Sequence, residues 1–156
     1  MRKNFLNKAN GQKGLTLVEL VVTTAILAIL AAMAVPIARY AIKRQQERDL
    51  KYDLMEMRAA IDEYKRAADS GAIMVKIETY GYPPDLDTLV NGVEVQEKKV
   101  KFLKRIPVDP MTHKAEWGMR SMQDEASSDS WGGQNVFDVH TKSDGVALNG
   151  THYRDW

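Results

Sequence analysis

The sequence predicts an α+β chain, on two observations. An apolar run long enough to cross a membrane leads directly into an amphipathic helical stripe. Short runs of β-forming residues then appear only in the second half of the chain.

The apolar run begins at Leu15 and reaches Ala38. From Gly14 to Ala38 there are 25 residues without a basic side chain. About 20 are enough to cross a hydrocarbon core as a helix. A cleaved secretory signal has a shorter apolar core, of about 7–15 residues. A simple membrane anchor would fit the length, and so would a buried helix of a soluble protein. The second fits poorly beside a chain whose mean hydropathy is −0.39. Neither accounts for Glu19, the single charge in the run. A charged side chain at the centre of a membrane helix costs about 2.5–3.5 kcal/mol on insertion scales. Glu19 is therefore a functional candidate, and its expected partner is a positive charge at the same depth.

Pro36 is expected to end or kink the first helical stretch, because it lacks an N–H and clashes with the preceding turn. Beyond it, Leu50, Leu54, Met57, Ile61, Tyr64 and Ala68 alternate at spacings of four and three, an amphipathic stripe. Glu47 with Lys51, and Asp62 with Arg66, are expected to pair across one turn on the exposed face. Ser70-Gly71 stops the pattern. A helix from Leu15 to Asp69 has roughly 55 residues and a length of about 82 Å.

Tyr80-Gly81-Tyr82-Pro83-Pro84 reads as a turn. Leu86, Leu89 and Val90 predict a short helix that Asn91-Gly92 closes. The charged segment from Glu94 to Lys104, with Lys98, Lys99, Lys101 and Lys104, reads as a solvated loop, with an acidic partner surface as the alternative. Residues 106–110, Ile-Pro-Val-Asp-Pro, are rigid and turn-rich. Ala115 to Met122 and Asn135 to His140 read as strands, with a polar loop at 127–133 in which Trp131 is either exposed or tucked against them.

The segment Gly14-Leu15-Thr16-Leu17-Val18-Glu19-Leu20 follows a leader holding Arg2, Lys3, Lys8 and Lys13 and no acid. It resembles the prepilin peptidase site of type IV pilins and type II secretion pseudopilins. The resemblance implies cleavage between Gly14 and Leu15 and methylation of the new N-terminus. It makes Glu19 the fifth residue, the family's acidic position. Leu15 stands where phenylalanine is usual. The implied organisation is a leader over 1–14, a membrane and filament-core helix over 15–38, and a periplasmic domain over 39–156. Basic residues lie on both sides of the run, with Arg39, Lys43 and Arg44 beyond it. The peptidase motif therefore decides the orientation, with the N-terminus cytoplasmic. Thr16, Glu19 and Pro36 are the assembly candidates. An α-amino group at Leu15, with a reference pKa of about 7.7–8.0, would be mostly cationic and would pair with Glu19 of a neighbouring copy.

Further residues narrow the resemblance. Gly81-Tyr82-Pro83, Phe102-Leu103, the Pro-Asp-Pro of residues 107–110, Phe137-Asp138-Val139, Ser143-Asp144-Gly145 and Trp156 are similar to the major pseudopilin of type II secretion systems. This implies a long N-terminal helix packed on a small antiparallel sheet with a C-terminal loop. It also implies a homo-oligomeric helical filament in the periplasm, anchored from the inner membrane, that helps expel folded proteins. The implied partners are prepilin peptidase, minor pseudopilins and the inner-membrane assembly platform. A type IV pilus subunit is the alternative, and a non-polymerising anchored binding module is a third.

The resemblance also implies a calcium site in the C-terminal loop. Asp144 and Asp155 are its candidates, but Thr151-His152 stands where further acids are expected. Calcium takes six to eight oxygen ligands, so weak or no binding is expected. The chain has no cysteine, which excludes a disulfide or thiolate site. Without the four basic leader residues the formal charge falls from +1 to −3, which argues against general nucleic-acid binding. His113, His140 and His152 share no metal-ligand spacing, and no nucleophile motif frames the serines. An enzyme is not expected.

Overall fold

A computed structural model describes residues 14–95, 98–125, 128 and 130–156. The leader's basic residues, together with Ser127 of the polar loop, lie outside the described residues. Two compact units divide the chain, Met1–Ala41 and Ile42–Trp156.

Helix α1 (Leu17–Asp69) starts at a side-chain cap and stops at a glycine. At its end, the Ala72 N–H reaches the Ala67 carbonyl and the Gly71 N–H reaches that of Ala68, each at 3.0 Å. Gly71 has φ 71°. This is a Schellman closure, with glycine where the left-handed conformation is needed. Of the two expectations for Pro36, to end or to kink the helix, the first does not hold; Pro36 lies inside α1, within the long helix expected from Leu15 to Asp69. One missing N–H removes a single bond of the ladder, and the bonds on either side carry the helix through.

The first unit holds the apolar part of α1. It carries an 18-residue stretch of mean hydropathy 2.5, none of it buried.

In the second unit, α1 buries Leu50, Leu54, Met57, Ala60, Ile61 and Tyr64, the predicted stripe apart from Ala68, which packs half-buried at its edge. The stripe meets Leu86, Leu89, Leu103, Trp117, Val136, Val139 and Tyr153 in one core. Helix α2 (Leu86–Asn91) is capped by Asp85, whose carboxylate accepts from the Thr88 N–H at 2.7 Å. Gly92 closes it at φ 79°, where a Cβ would come within 2.4 Å of the Val100 carbonyl oxygen.

The segment expected to be a solvated loop contains a hairpin. Strand β1 (Val93–Val95) pairs antiparallel with β2 (Lys98–Val100), setting Glu94 opposite Lys99. Valines at 93, 95 and 100 supply the β-forming side chains, and opposite charges across the strands favour the register. Strand β3 (Trp117–Arg120) pairs antiparallel with β4 (Asp138–Thr141), so the described residues form two two-stranded sheets. Gly118 faces His140, whose ring would lie 2.2 Å from a Cβ at that position.

Strand β4 starts three residues later than the expected Asn135, because Asn135 and Val136 are committed elsewhere. The Asn135 side chain accepts from the Met122 N–H at 3.0 Å and donates to Gln123, and the Val136 N–H goes to the Pro83 carbonyl. Trp131 is half-buried, its Nε1 donating to the Asn135 carbonyl at 2.8 Å. The turn-rich segment hides one acid. Asp109 is fully buried, and its carboxylate accepts from the Met111 N–H at 2.8 Å and from the Thr141 hydroxyl.

The expected helix-face pairs are not those observed. Glu47 accepts instead from the Leu148 N–H at 2.7 Å and from the Tyr153 hydroxyl at 3.0 Å. Lys51 lies over the Trp156 ring, 4.4 Å from its centroid. Arg66 donates to the main-chain oxygen of Asp62, not to its carboxylate. Lys43 donates to the Val146 carbonyl at 2.7 Å. Arg58 donates to Asp138 at 2.7 Å, to the Val139 carbonyl at 3.1 Å and to the main-chain oxygen of Trp156 at 2.7 Å. These α1 side chains fasten β4 and the C-terminal loop to the helix. Burial, then the bond to Glu47, push the Tyr153 hydroxyl up to about 12, so it remains a hydrogen-bond donor.

Candidate processing and assembly site

The start of α1 brings the N-terminal candidates together. Gly14, Leu15 and Thr16 are exposed and precede the first helical residue. A Cβ at Gly14 would meet nothing within 4 Å. Nothing among the described residues therefore requires glycine there.

Thr16 is the N-cap. Its hydroxyl accepts from the Glu19 N–H at 3.2 Å, and its carbonyl accepts from the Leu20 N–H at 3.1 Å. Thr16-Leu17-Val18-Glu19 thus has the spacing of a capping box, with the acid at the third helical position. Both residues are assembly candidates from the sequence, and the Thr-x-x-Glu spacing is the signal that links them. The same position puts a negative charge in the first turn, where the helix dipole favours it. Among the described residues, no group hydrogen-bonds or ion-pairs with the Glu19 carboxylate. The other polar side chains nearby are satisfied within the helix. Thr23 donates to the Leu20 carbonyl at 3.0 Å, and Thr24 to those of Leu20 and Val21 at 2.9 and 3.0 Å. Among the described residues, Glu19 alone presents an unused polar side chain on an apolar surface that runs from Leu17 past Val35 and Ile37. Pro36 lies within that surface, between Val35 and Ile37.

The C-terminal candidates fit calcium poorly. Asp144 is 86 % exposed, and its carboxylate faces the Arg154 guanidinium at 3.6 Å. A cation in that place repels a metal ion. Asp155 is exposed at the end of a 3₁₀ turn, Tyr153–Asp155. The loop is held by packing, with the Tyr153 and Trp156 rings edge-to-face at 5.2 Å. Among the described residues, no three His, Asp or Glu side chains are grouped to hold a metal. Two other acids have shifted carboxyls for structural reasons. Burial, then the negative charges of Glu56, Asp49 and Asp109, raise Asp53, against the opposing Arg105. Hydrogen bonds from the Ser121 and Gly132 N–H groups lower Asp124.

Residues 9–35 match the family described as the prokaryotic N-terminal methylation motif. The chain is also similar to "Fimbrial protein EcpB" of Eikenella corrodens. The two are 28 % identical over 123 residues, covering 78 % of this chain and 69 % of that protein. No solved structure matches significantly. These findings support a type IV pilin-like protein, and the long N-terminal helix with its small antiparallel sheets is consistent with a type IV pilin-like α+β fold.

Proposed function

We propose that this chain is the precursor of a structural filament subunit, cut between Gly14 and Leu15 and N-methylated by prepilin peptidase. The observation that carries this reading is the matched methylation motif, set on an apolar helix whose 18-residue membrane-length stretch is unburied among the described residues. Two states can cover that helix. Before assembly, lipid of the inner membrane surrounds it as a single span, with the second unit in the periplasm. After assembly, the helices of other copies replace the lipid.

Glu19 fits the transfer between those states. Its carboxylate has no partner among the described residues, and cleavage places an α-amino group four residues before it. In the filament, that amine of one copy meets Glu19 of the next and sets their axial register. An unpaired charge among apolar helices is costly, so subunits that dock out of register are rejected. The open space around Gly14 supports a role for that glycine toward the peptidase rather than in folding.

Within this reading, the filament is a periplasmic pseudopilus of the major pseudopilin type. It helps drive protein export with minor pseudopilins and an inner-membrane platform. The residues quoted above from Gly81 to Gly145 favour it. The fimbrial relative favours a second reading, a type IV pilus subunit. Overproduction of the chain with a prepilin peptidase, followed by negative-stain imaging, tests the proposal. Filaments that depend on the peptidase are expected. A dispersed, membrane-bound protein would point instead to an anchored binding module.

A further inference from the structure

The second unit exposes an apolar knob. Met74 and Ile77 are 103 % and 94 % exposed. They lie between the ends of α1 and α2, with Ile77 opening the 3₁₀ turn Ile77–Thr79. Their backbone is pinned. Ile73 on one side and Thr79 on the other are buried, and the Thr79 hydroxyl donates to the Lys76 carbonyl at 2.8 Å. The segment therefore cannot turn these side chains inward without pulling its anchors out of the core.

The same unit also has an apolar groove of about 500 Å³ along α1. Leu54, Met55, Ala59 and Trp156 line it, together with the charged Lys51, Arg58 and Asp62. The groove is preformed. Arg58 holds the Trp156 main chain at 2.7 Å, and Lys51 lies over the Trp156 ring. With Arg58 paired to Asp138, its lining carries one remaining charge of each sign, Lys51 and Asp62. So does the knob, where Lys76 and Glu78 flank Ile77.

We infer that the Met74–Ile77 knob of one copy seats in the Leu54–Met55–Trp156 groove of another, with Lys76 toward Asp62 and Glu78 toward Lys51. This rests on the filament reading and supplies a contact between the soluble units, apart from the apolar helices. Methionine suits both sides of such a contact, because its flexible side chain fills irregular gaps. Knob and groove are different surfaces of one chain, so the contact is head-to-tail. Repeated without closure, it generates an open helical array rather than a closed dimer.

The absence of cysteine provides a clean test. The full chain carrying Met55→Cys and Met74→Cys is produced with prepilin peptidase and oxidised in intact cells. A ladder of disulfide-linked oligomers is expected, reversed by reductant, while neither single variant extends beyond a dimer. Both positions are exposed, so folding is not at stake. Filaments seen by microscopy without a ladder would overturn this contact and leave the filament reading standing. Neither filaments nor a ladder would overturn both. Capture of a different protein at Met55→Cys, in place of a second copy, would also overturn the contact.

Discussion

Glu19→Ala subunits are expected to be processed, inserted and folded, yet to enter filaments at least about a hundredfold less than wild type. Removing one member of a desolvated ion pair costs about 3–5 kcal/mol, because the other charge is left unpaired. Each 1.4 kcal/mol is roughly a factor of ten. Here the stranded charge is the α-amino group of a neighbouring copy. The capping geometry provides the control. The hydrogen bond to Thr16 comes from the Glu19 main chain, so alanine keeps it. Loss of the carboxylate from the first turn costs only about 0.3–1 kcal/mol through the helix dipole. Glu19→Gln keeps a capping-box side chain and loses the charge, so it should fail to assemble like alanine. Filaments of normal amount from Glu19→Gln would assign Glu19 to capping and remove the pairing argument.

The largest expected effect on stability is that of Leu50→Ala. Leu50 is fully buried where α1 packs into the core of the second unit. Leu→Ala at such a site costs about 2–5 kcal/mol, the spread reflecting how far the cavity collapses. For a domain of this size, that lowers the melting temperature by roughly 10–20 °C. Met55, five residues on, is 63 % exposed, and Met55→Ala should shift stability by no more than about 0.5 kcal/mol. Circular dichroism melts of the detergent-purified chain compare the two. Equal melting temperatures would contradict the placement of the α1 stripe in the core.

The elements that local physics specifies were legible in the sequence. The helical stripe from Leu50 to Tyr64, the glycine stops at Gly71 and Gly92, and helix α2 all follow from spacing and conformational preference within a few residues. What escaped sequence reading depends on partners far along the chain. Glu47 pairs with Leu148 and Tyr153, and Arg58 with Asp138 and Trp156; four-residue spacing along a helix holds no trace of either. The β1–β2 hairpin was hidden by its lysines, although the valines at 93, 95 and 100 carried the pattern. Pro36 lies inside α1 rather than at its end, where the helix on both sides outweighs one missing N–H. At the N-terminus the motif was legible from Gly14 to Glu19, because the chemistry proposed there needs residues in a fixed order rather than a folded pocket. The Thr16 cap was legible too, in the Thr-x-x-Glu spacing, and emerged only with the hydrogen bond. Asp144 could be found in Ser143-Asp144-Gly145, but its Arg154 neighbour shows only once the loop's path is known.

The proposed identity of Leu15 as the mature first residue is tested most directly by intact-mass analysis of the chain from membranes of cells with an active prepilin peptidase. A chain beginning at Leu15 and heavier by one methyl group is expected, with N-methyl-leucine in its first peptide. A chain still beginning at Met1 would contradict the account at its root.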